Sequence, residues 1–414
     1  MSVALRDLRT GIEALPSMDQ ILPVLEGSDP AYLVGGAVRD LLRGESTKDI
    51  DVVVEGAVDT AARALAARLG GELEVHERFG TATIRTQRVS IDLAASRRER
   101  YPRPGALPEV EPAPIDEDLG RRDFSVNAMA ACLGEPRRGD LLDLHGGRED
   151  IEAGLVRILH PRSFVDDPTR LLRAARYEAR LGFRMDSDTE ALARAAVTDR
   201  VSDTVSASRL GAELLLLLGE ERLKQALARL SDLGFDRALD PALGVDAALA
   251  SGAALAASAT GAVPALAALA ALLVAAPGAL AGWLDSLGLP AAERGRVAQA
   301  ARSAPALARA LRDGGSLAPS ALRDLLAPEP PEAHALAVAL GAHAQTIARY
   351  TDTLQLVRLS IDGDDLLAAG VKSSPALGRA LAETLRRKLD GEVSGREDEL
   401  RVAVSIARGE DVPG

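Results

Sequence analysis

Apolar and polar residues follow two rhythms along this chain. Between residues 31 and 150 the apolar runs are short and alternate with polar positions, as in strands, with helical stretches between them. Tyr32-Leu33-Val34 reads as a strand and Gly35-Gly36 as a turn. Residues 37–42 read as a helix start, 44–48 as a loop, 48–54 as a second strand and 81–93 as one further alternating strand. Residues 1–30 look like a helical lead-in. After about residue 151 the strand signal nearly vanishes, and amphipathic helices broken by Gly, Pro and Ser fill the rest. The pattern predicts an α+β domain followed by an all-α C-terminal two-thirds.

Composition sharpens this picture at a few points. A chain of 414 residues has room for two or more domains, and with 47% hydrophobic but 2% aromatic residues its cores must be built from Ala, Leu and Val. Residues 252–284 carry no charge, but Pro264 and Pro277 leave only 12 residues between them. At ~1.5 Å per residue that cannot cross ~30 Å of hydrocarbon, so buried Ala-rich helices and no membrane association are expected. The single cysteine, Cys132, rules out an internal disulfide framework and fits a reducing cytosol. No long apolar run near the start suggests a signal peptide, so a cytoplasmic location is expected. A net charge of −12 argues against indiscriminate nucleic-acid binding but leaves room for a local basic groove.

The chemistry concentrates in Lys48-Asp49-Ile50-Asp51-Val52-Val53-Val54. Residues two apart on a strand face the same way, so Asp49 and Asp51 repel unless a cation joins them. Magnesium, which takes oxygen ligands and bridges carboxylates to phosphates, is the expected ion. The upstream Gly35-Gly36 lets backbone N–H groups approach phosphate oxygens. Together these read as a nucleotidyl-transfer site. A third carboxylate, Asp92, lies in Ser90-Ile91-Asp92-Leu93, where a plain surface strand position is the competing reading. Arg121-Arg122-Asp123-Phe124-Ser125-Val126-Asn127 offers guanidinium forks for phosphate, and an acid and an amide for sugar hydroxyls; a helix N-terminus is compatible with the same residues. Asp166-Asp167-Pro168 opens a helix on which Arg170, Arg173, Arg176, Arg180 and Arg184 share one side, a stripe suited to nucleotide edges or RNA phosphates. A held Asp–Arg pair can hydrogen-bond the Watson–Crick edge of a base and act as a template. Residues 97–116, with five prolines and many charges, read as a flexible loop, either a functional lid or a surface insertion.

In this order, these residues resemble the class II CCA-adding tRNA nucleotidyltransferases and the related bacterial poly(A) polymerases. The likeness runs through Leu33-Val34-Gly35-Gly36-Ala37-Val38-Arg39-Asp40, the Asp49/Asp51 pair, residues 121–128, and residues 166–173 with Leu181-Gly182-Phe183. It continues to Ile361-Asp362-Gly363-Asp364-Asp365-Leu366, Ser374-Pro375-Ala376-Leu377-Gly378 and Gly391-Glu392-Val393. The resemblance implies a polymerase-β-like head (1–150, with the flexible loop 97–116), a helical neck (151–215), an Ala-rich body (216–345) and a tRNA-binding tail (346–414). It implies that Asp49 and Asp51 hold Mg2+ with Asp92 in support, and that Gly35, Gly36 and Arg39 hold the triphosphate. It further implies that Arg122, Asp123 and Asn127 contact ribose and phosphates, and that Asp167 and Arg170 pair with the base of CTP or ATP. Arg173 and Arg176 follow on the same nucleotide-binding helix. The implied substrate is the tRNA 3′ end with its acceptor/T arm, and the implied activity is addition of CCA. Addition of the terminal A alone, or poly(A) synthesis, are the alternatives. Arg78-Phe79-Gly80-Thr81 and the loop from Tyr101 are similar to the A-adding branch. Two departures stand out. Asp166 replaces the usual Glu, and Ser208-Arg209 lacks the usual acid before Arg, which removes one partner of a structural ion pair while Glu213 remains.

Overall fold

The computed structural model describes residues 7–26, 29–47, 49–76, 80–312 and 317–410. Lys48, and the Arg78 and Phe79 of the A-adding likeness, lie outside the described residues. The chain forms two compact units, residues 1–213 with 229–238 and residues 214–228 with 239–414.

In the first unit, helices α1 (Leu8–Glu13) and α2 (Met18–Leu25) lead into β1 (Ala31–Val34), α3 (Gly36–Arg43), β2 (Asp49–Val54) and α4 (Val58–Leu69). Strands β3 (Glu72–His76), β4 (Thr81–Arg85) and β5 (Ser90–Ala95) follow, then a hairpin of β6 (Arg97–Arg100) and β7 (Glu109–Pro112). Next come α5 (Ile115–Gly120), β8 (Met129–Cys132), β9 (Leu141–Asp143), α6 (Gly147–Ala153) and the two-residue strand β10 (Leu155–Val156). Then α7 (Ser163–Asp166), α8 (Arg170–Leu181), β11 (Arg184–Met185) and α9 (Ser187–Thr198) follow in turn. Helices α10 (Ala207–Leu218), α11 (Leu223–Asp232) and α12 (Phe235–Leu239) carry residues of both units.

Seven strands form one mixed sheet in the order β3-β4-β5-β2-β1-β8-β9. Strand alternation divides its faces. Ile50, Val52 and Val54 join Leu33, Ile84, Ile91 and Leu93 in a core with Ile12, Met18 and Ile21 of the lead-in helices and Ala61, Ala62 and Leu65 of α4. Burial of each such aliphatic side chain contributes roughly 1.5–3 kcal/mol. Val53, on the other face, packs with Val34, Ala130 and the Ile115 and Leu119 of α5. Asp49 and Asp51 share the parity of Val53, so the helical layer fills one face and leaves the carboxylates on the other.

Two sequence expectations are corrected here. Residues 81–93 are not one strand: Thr86 turns the chain, its Oγ1 accepting from Val89 N at 3.0 Å, and β4 pairs antiparallel with β5. Residues 97–116, expected as a flexible loop without strands, include a hairpin in which β6 and β7 pair from Arg97↔Pro112 to Arg100↔Glu109. Apart from the single parallel pair of two-residue strands β10 and β11, the described residues beyond 151 carry no strand.

The second unit is helical: α13 (Ala247–Thr260), α14 (Pro264–Leu273), α15 (Ala281–Ser286), α16 (Ala291–Ala310), α17 (Pro319–Leu326), α18 (Pro331–Ala339) and α19 (Ala344–Asp352). Helix α14 is buried from Leu266 to Leu273, as the uncharged stretch requires. Among the described residues no helix is long and apolar enough to cross a membrane. Helices α20 (Gly363–Ala368), α21 (Pro375–Leu389) and α22 (Arg396–Arg408) close around Leu366, Ala380 and Ala403. Asp362 starts α20 with a reciprocal capping box with Asp365, and Ser374 caps α21 ahead of Pro375.

Candidate active site

The site begins where β1 turns into α3. Gly35 has φ +64°, a left-handed backbone, and a Cβ there would lie 2.9 Å from Arg122 Nη1. Only glycine satisfies both constraints. Beside this turn, β2 and β5 run parallel with Asp51 directly opposite Asp92, and β4 places Thr83 opposite Asp92 in turn. Thr83 Oγ1 donates to Asp92 Oδ1 at 2.5 Å. Burial, then the neighbouring Asp92 and Asp49, push the Asp51 carboxyl up to about 6 against the opposing pull of Arg122 and Arg39. This all-oxygen set fits a hard divalent cation, which removes the mutual repulsion. Among the described residues no three His, Cys, Asp or Glu side chains already converge as a ready-made metal cluster.

The arginines of the 121–127 segment are held from below. Asp118 on α5 is fully buried; its Oδ1 accepts from Arg121 Nε and Nη2 at 2.9 and 2.8 Å, and its Oδ2 from Arg122 Nη2 at 3.0 Å. The sequence signal was present, an acid three and four residues before two arginines, but was not used. Asp123 is nearly buried, with Oδ2 accepting from Arg173 Nη2 at 2.5 Å and Oδ1 from Asn127 Nδ2 at 3.0 Å. Burial alone would raise its carboxyl, but Arg173 and Asn127 hold it below the ordinary range. Asn127 Oδ1 in turn accepts from Arg39 Nη1 at 2.6 Å.

Asp167 precedes α8, and Arg170 begins it. Arg170 is buried and donates to Ser163 Oγ at 2.5 Å and to Arg121 O at 2.8 Å. Asp167 Oδ1 accepts from Arg209 Nη2 at 3.0 Å and from Thr169. The expected Asp167–Arg170 pair is therefore two residues held by separate partners. The expectation of a lost ion pair near Ser208 is also corrected: Arg209 pairs with Asp167, and Glu213 accepts from Arg173 Nη1 at 3.1 Å. The expected arginine stripe is divided: Arg170 and Arg176 are buried, Arg180 is exposed, and Arg184 lies beyond the helix on β11 and is exposed. Arg176 is buried, lies 3.7 Å from Glu213 and is stacked on Tyr177.

The β6–β7 hairpin reaches the same place. Gly105 N donates to Asp166 O at 3.2 Å, and Arg209 Nη1 donates to Gly105 O at 3.0 Å. Gly105 approaches Thr204 so closely that a Cβ would meet it at 2.4 Å. Asp166 itself pairs with Arg162 at 3.1 Å. Glu99 accepts from Arg121 at 2.9 Å and from the Tyr101 hydroxyl at 3.1 Å. Burial, then Glu99, pushes the Tyr101 hydroxyl up to about 12.

These groups enclose a cavity of about 330 Å3. Gly35, Gly36 and Asp51 line one part, Arg121, Arg122, Asp123 and Asn127 another, and Asp167, Arg170, Arg173, Tyr177, Glu99 and Tyr101 the rest. Of the residues singled out from the sequence, Asp49, Asp92, Arg39 and Arg176 are not in the lining. Glu99, Tyr101, Asp118 and Tyr177 were not singled out as site residues; Glu99 is recruited by Arg121 from 22 positions away, whereas Asp118 holds arginines only three and four residues on.

A glycine turn beside abreast carboxylates, facing an arginine-rich cavity, makes the first unit a nucleotidyltransferase-type head. The family model of the poly A polymerase head domain matches residues 31–157. The CC-adding tRNA nucleotidyltransferase of Deinococcus radiodurans is 35% identical over 93% of this chain and 96% of its own length. The A-adding tRNA nucleotidyltransferase of Aquifex aeolicus is 44% identical over 48% of this chain but only 24% of its own length. Across three A-adding relatives the chain spans a quarter to a half of their length. The solved Thermotoga maritima CCA-adding enzyme complexed with tRNA-CCA superposes with a TM-score of 0.73 at 28% identity, covering 98% of this chain and 99% of that one. The chain belongs to the class II CCA-adding tRNA nucleotidyltransferase and poly(A) polymerase family.

The raised carboxyl of Asp51 has a measurable consequence. Mn2+ affinity of the full chain, followed by calorimetry from pH 5 to 8, is expected to be constant above the Asp51 pKa of about 6. Below that value, protonation competes with the ion and affinity falls about tenfold per pH unit. Since Arg122 opposes the shift, Arg122→Ala should move the inflection to higher pH; an unmoved inflection would assign it to another group. Asp118→Ala strips a buried carboxylate from two arginines and should lower unfolding free energy by about 3–5 kcal/mol in a denaturant titration.

Proposed function

We infer that this protein adds the 3′-terminal CCA to tRNA from CTP and ATP, without a nucleic-acid template, releasing pyrophosphate. The observation that carries this reading is the single cavity joining the Gly35-Gly36 turn and Asp51 to Asp167 and Arg170. Phosphate-level and base-level groups then act on one nucleotide. Asp49 and Asp51 hold Mg2+, with Asp92 in support. When bound there, the ion lowers the pKa of the attacking 3′-hydroxyl and neutralises triphosphate charge. Gly35 and Gly36 offer backbone N–H groups to the phosphates, with Arg39 and Arg122 as cationic partners. Asp123 and Asn127 present an acid and an amide at ribose level, where ribonucleotides offer a 2′-hydroxyl. Arg170 donates and Asp167 accepts at the base edge, so CTP and ATP are chosen by hydrogen-bond pattern. Arg173 and Arg176, bound to Glu213, brace this wall.

The tRNA acceptor/T arm is the proposed macromolecular partner, supported by the tRNA bound in the Thermotoga maritima relative and by the long helical region after the head. The tail, 346–414, is the proposed contact for the arm, and the cytoplasm the proposed location. Head-level identity to A-adding relatives supports a second reading, addition of the terminal A alone.

One assay separates these readings. Transcripts ending before CCA, after C and after CC receive CTP, ATP or both with magnesium. The CCA reading expects completion from the shortest transcript with both nucleotides. Extension only of the CC-ending transcript by ATP would make this an A-adding enzyme, and arrest after CC would make it a CC-adding one. In the same assay Asp49→Ala and Asp51→Ala should abolish incorporation while the circular dichroism spectrum is unchanged. Arg170→Ala should admit GTP and UTP more than it slows CTP and ATP, and unchanged selection would argue against a protein template.

A further inference from the structure

Three guanidinium groups converge on one aromatic ring in this site. The Cζ atoms of Arg39, Arg173 and Arg176 lie 5.7, 5.9 and 5.5 Å from the Tyr177 ring centroid. Phe124 meets the same ring edge-on, with centroids 5.7 Å apart at 78°. Tyr177 is 9% exposed and lines the cavity. The three arginines come from two segments, α3 and α8, and of the polar partners Asp40, Asn127, Asp123 and Glu213 the last serves two of them and none serves all three. Arg39 binds Asp40 and Asn127, Arg173 binds Asp123 and Glu213, and Arg176 faces Glu213. The Tyr177 ring is the neighbour common to all three.

That arrangement has a physical logic. A guanidinium is planar: its face stacks on a π-surface while its N–H edge stays free for an anion. When phosphate oxygens arrive, the arginine edges exchange carboxylate or amide partners for phosphate. The ring contact needs no exchange, so it keeps the guanidinium groups in place while their edges change partners. An aliphatic side chain of similar size fills the space but presents no negative face to cations that repel one another.

We propose that Tyr177 is a positioning residue for triphosphate binding, holding Arg39 and Arg173 through its π-face. This rests on the nucleotidyl-transfer reading and adds to it a residue acting on phosphate affinity and not on base choice. The test keeps the shape of the ring and drains its charge. Phenylalanine and its mono-, di- and trifluorinated forms are placed at position 177 of the full chain. Equilibrium binding of CTP, ATP and inorganic tripolyphosphate is then measured with Mg2+ and without tRNA, alongside thermal unfolding. Tyr177→Phe should bind all three ligands within about twofold of the unsubstituted chain, and trifluorination should weaken all three in parallel by about tenfold. Affinity that is flat across the series, even where the melting temperature drifts, would reduce Tyr177 to a packing residue and overturn the proposal. A loss confined to one nucleotide, with tripolyphosphate unaffected, would overturn it in favour of a base contact. If the unsubstituted chain binds none of the three ligands, the nucleotidyl-transfer reading itself fails, and the proposal with it.

Discussion

Asp51 and Asp92 stand abreast on parallel neighbouring strands, and the rest of the head is arranged around that pairing. Burial first and Asp92 second take the Asp51 carboxyl from 3.8 to about 6. For a raised carboxyl the sign is a cost, absent below the ordinary value and fully present above the raised one. At neutral pH it is on the order of 3 kcal/mol. A cation held between the carboxylates would offset that cost. The apolar residues of β2 make the cost tolerable. Ile50, Val52 and Val54 anchor the strand in the core from its other face, so the carboxylates cannot turn away.

A second consequence concerns charge. The cavity lining counts four acids, Asp51, Glu99, Asp123 and Asp167, against four arginines, Arg121, Arg122, Arg170 and Arg173. The wall is close to neutral, and its arginines already have partners: Asp118 for Arg121 and Arg122, Asp123 and Glu213 for Arg173, and neutral oxygens for Arg170. A triphosphate is therefore not drawn in by net charge. It is recognised by donors held in advance at the right places, and its own charge must arrive largely compensated by a cation.

Much of this was legible in the sequence, and the exceptions share a cause. The α3 start, the Asp-bearing β2 and α8 follow from local spacing and turn chemistry, which act within a few residues. Residues 81–93 were misread as one strand because Thr86 and its neighbours interrupt the alternation only briefly, and a threonine side chain closes the turn without Gly or Pro. The arginine stripe was legible as one side of α8, but a helical projection shows which residues share a side, not what covers them; here Glu213 and Tyr177 cover Arg173 and Arg176. The missing acid beside Arg209 was judged from its sequence neighbour, whereas its partner is Asp167, 42 positions away. Long-range pairing of this kind leaves no local trace.

Arg209 shows what such a pairing does. Its guanidinium has two N–H edges, one spent on Asp167 and the other on the carbonyl of Gly105 at the hairpin tip. The hairpin and Asp167 thus share one cation. Gly105 is the residue that permits this, since any side chain there would strike Thr204. At the hairpin base, Glu99 accepts from Arg121, which Asp118 also holds, so the hairpin is tied at its root to Arg121 and at its tip, through Arg209, to Asp167. One hairpin thus links Arg121 to Asp167 through Glu99 and Gly105, by hydrogen bonds with a net worth of about 1–3 kcal/mol each.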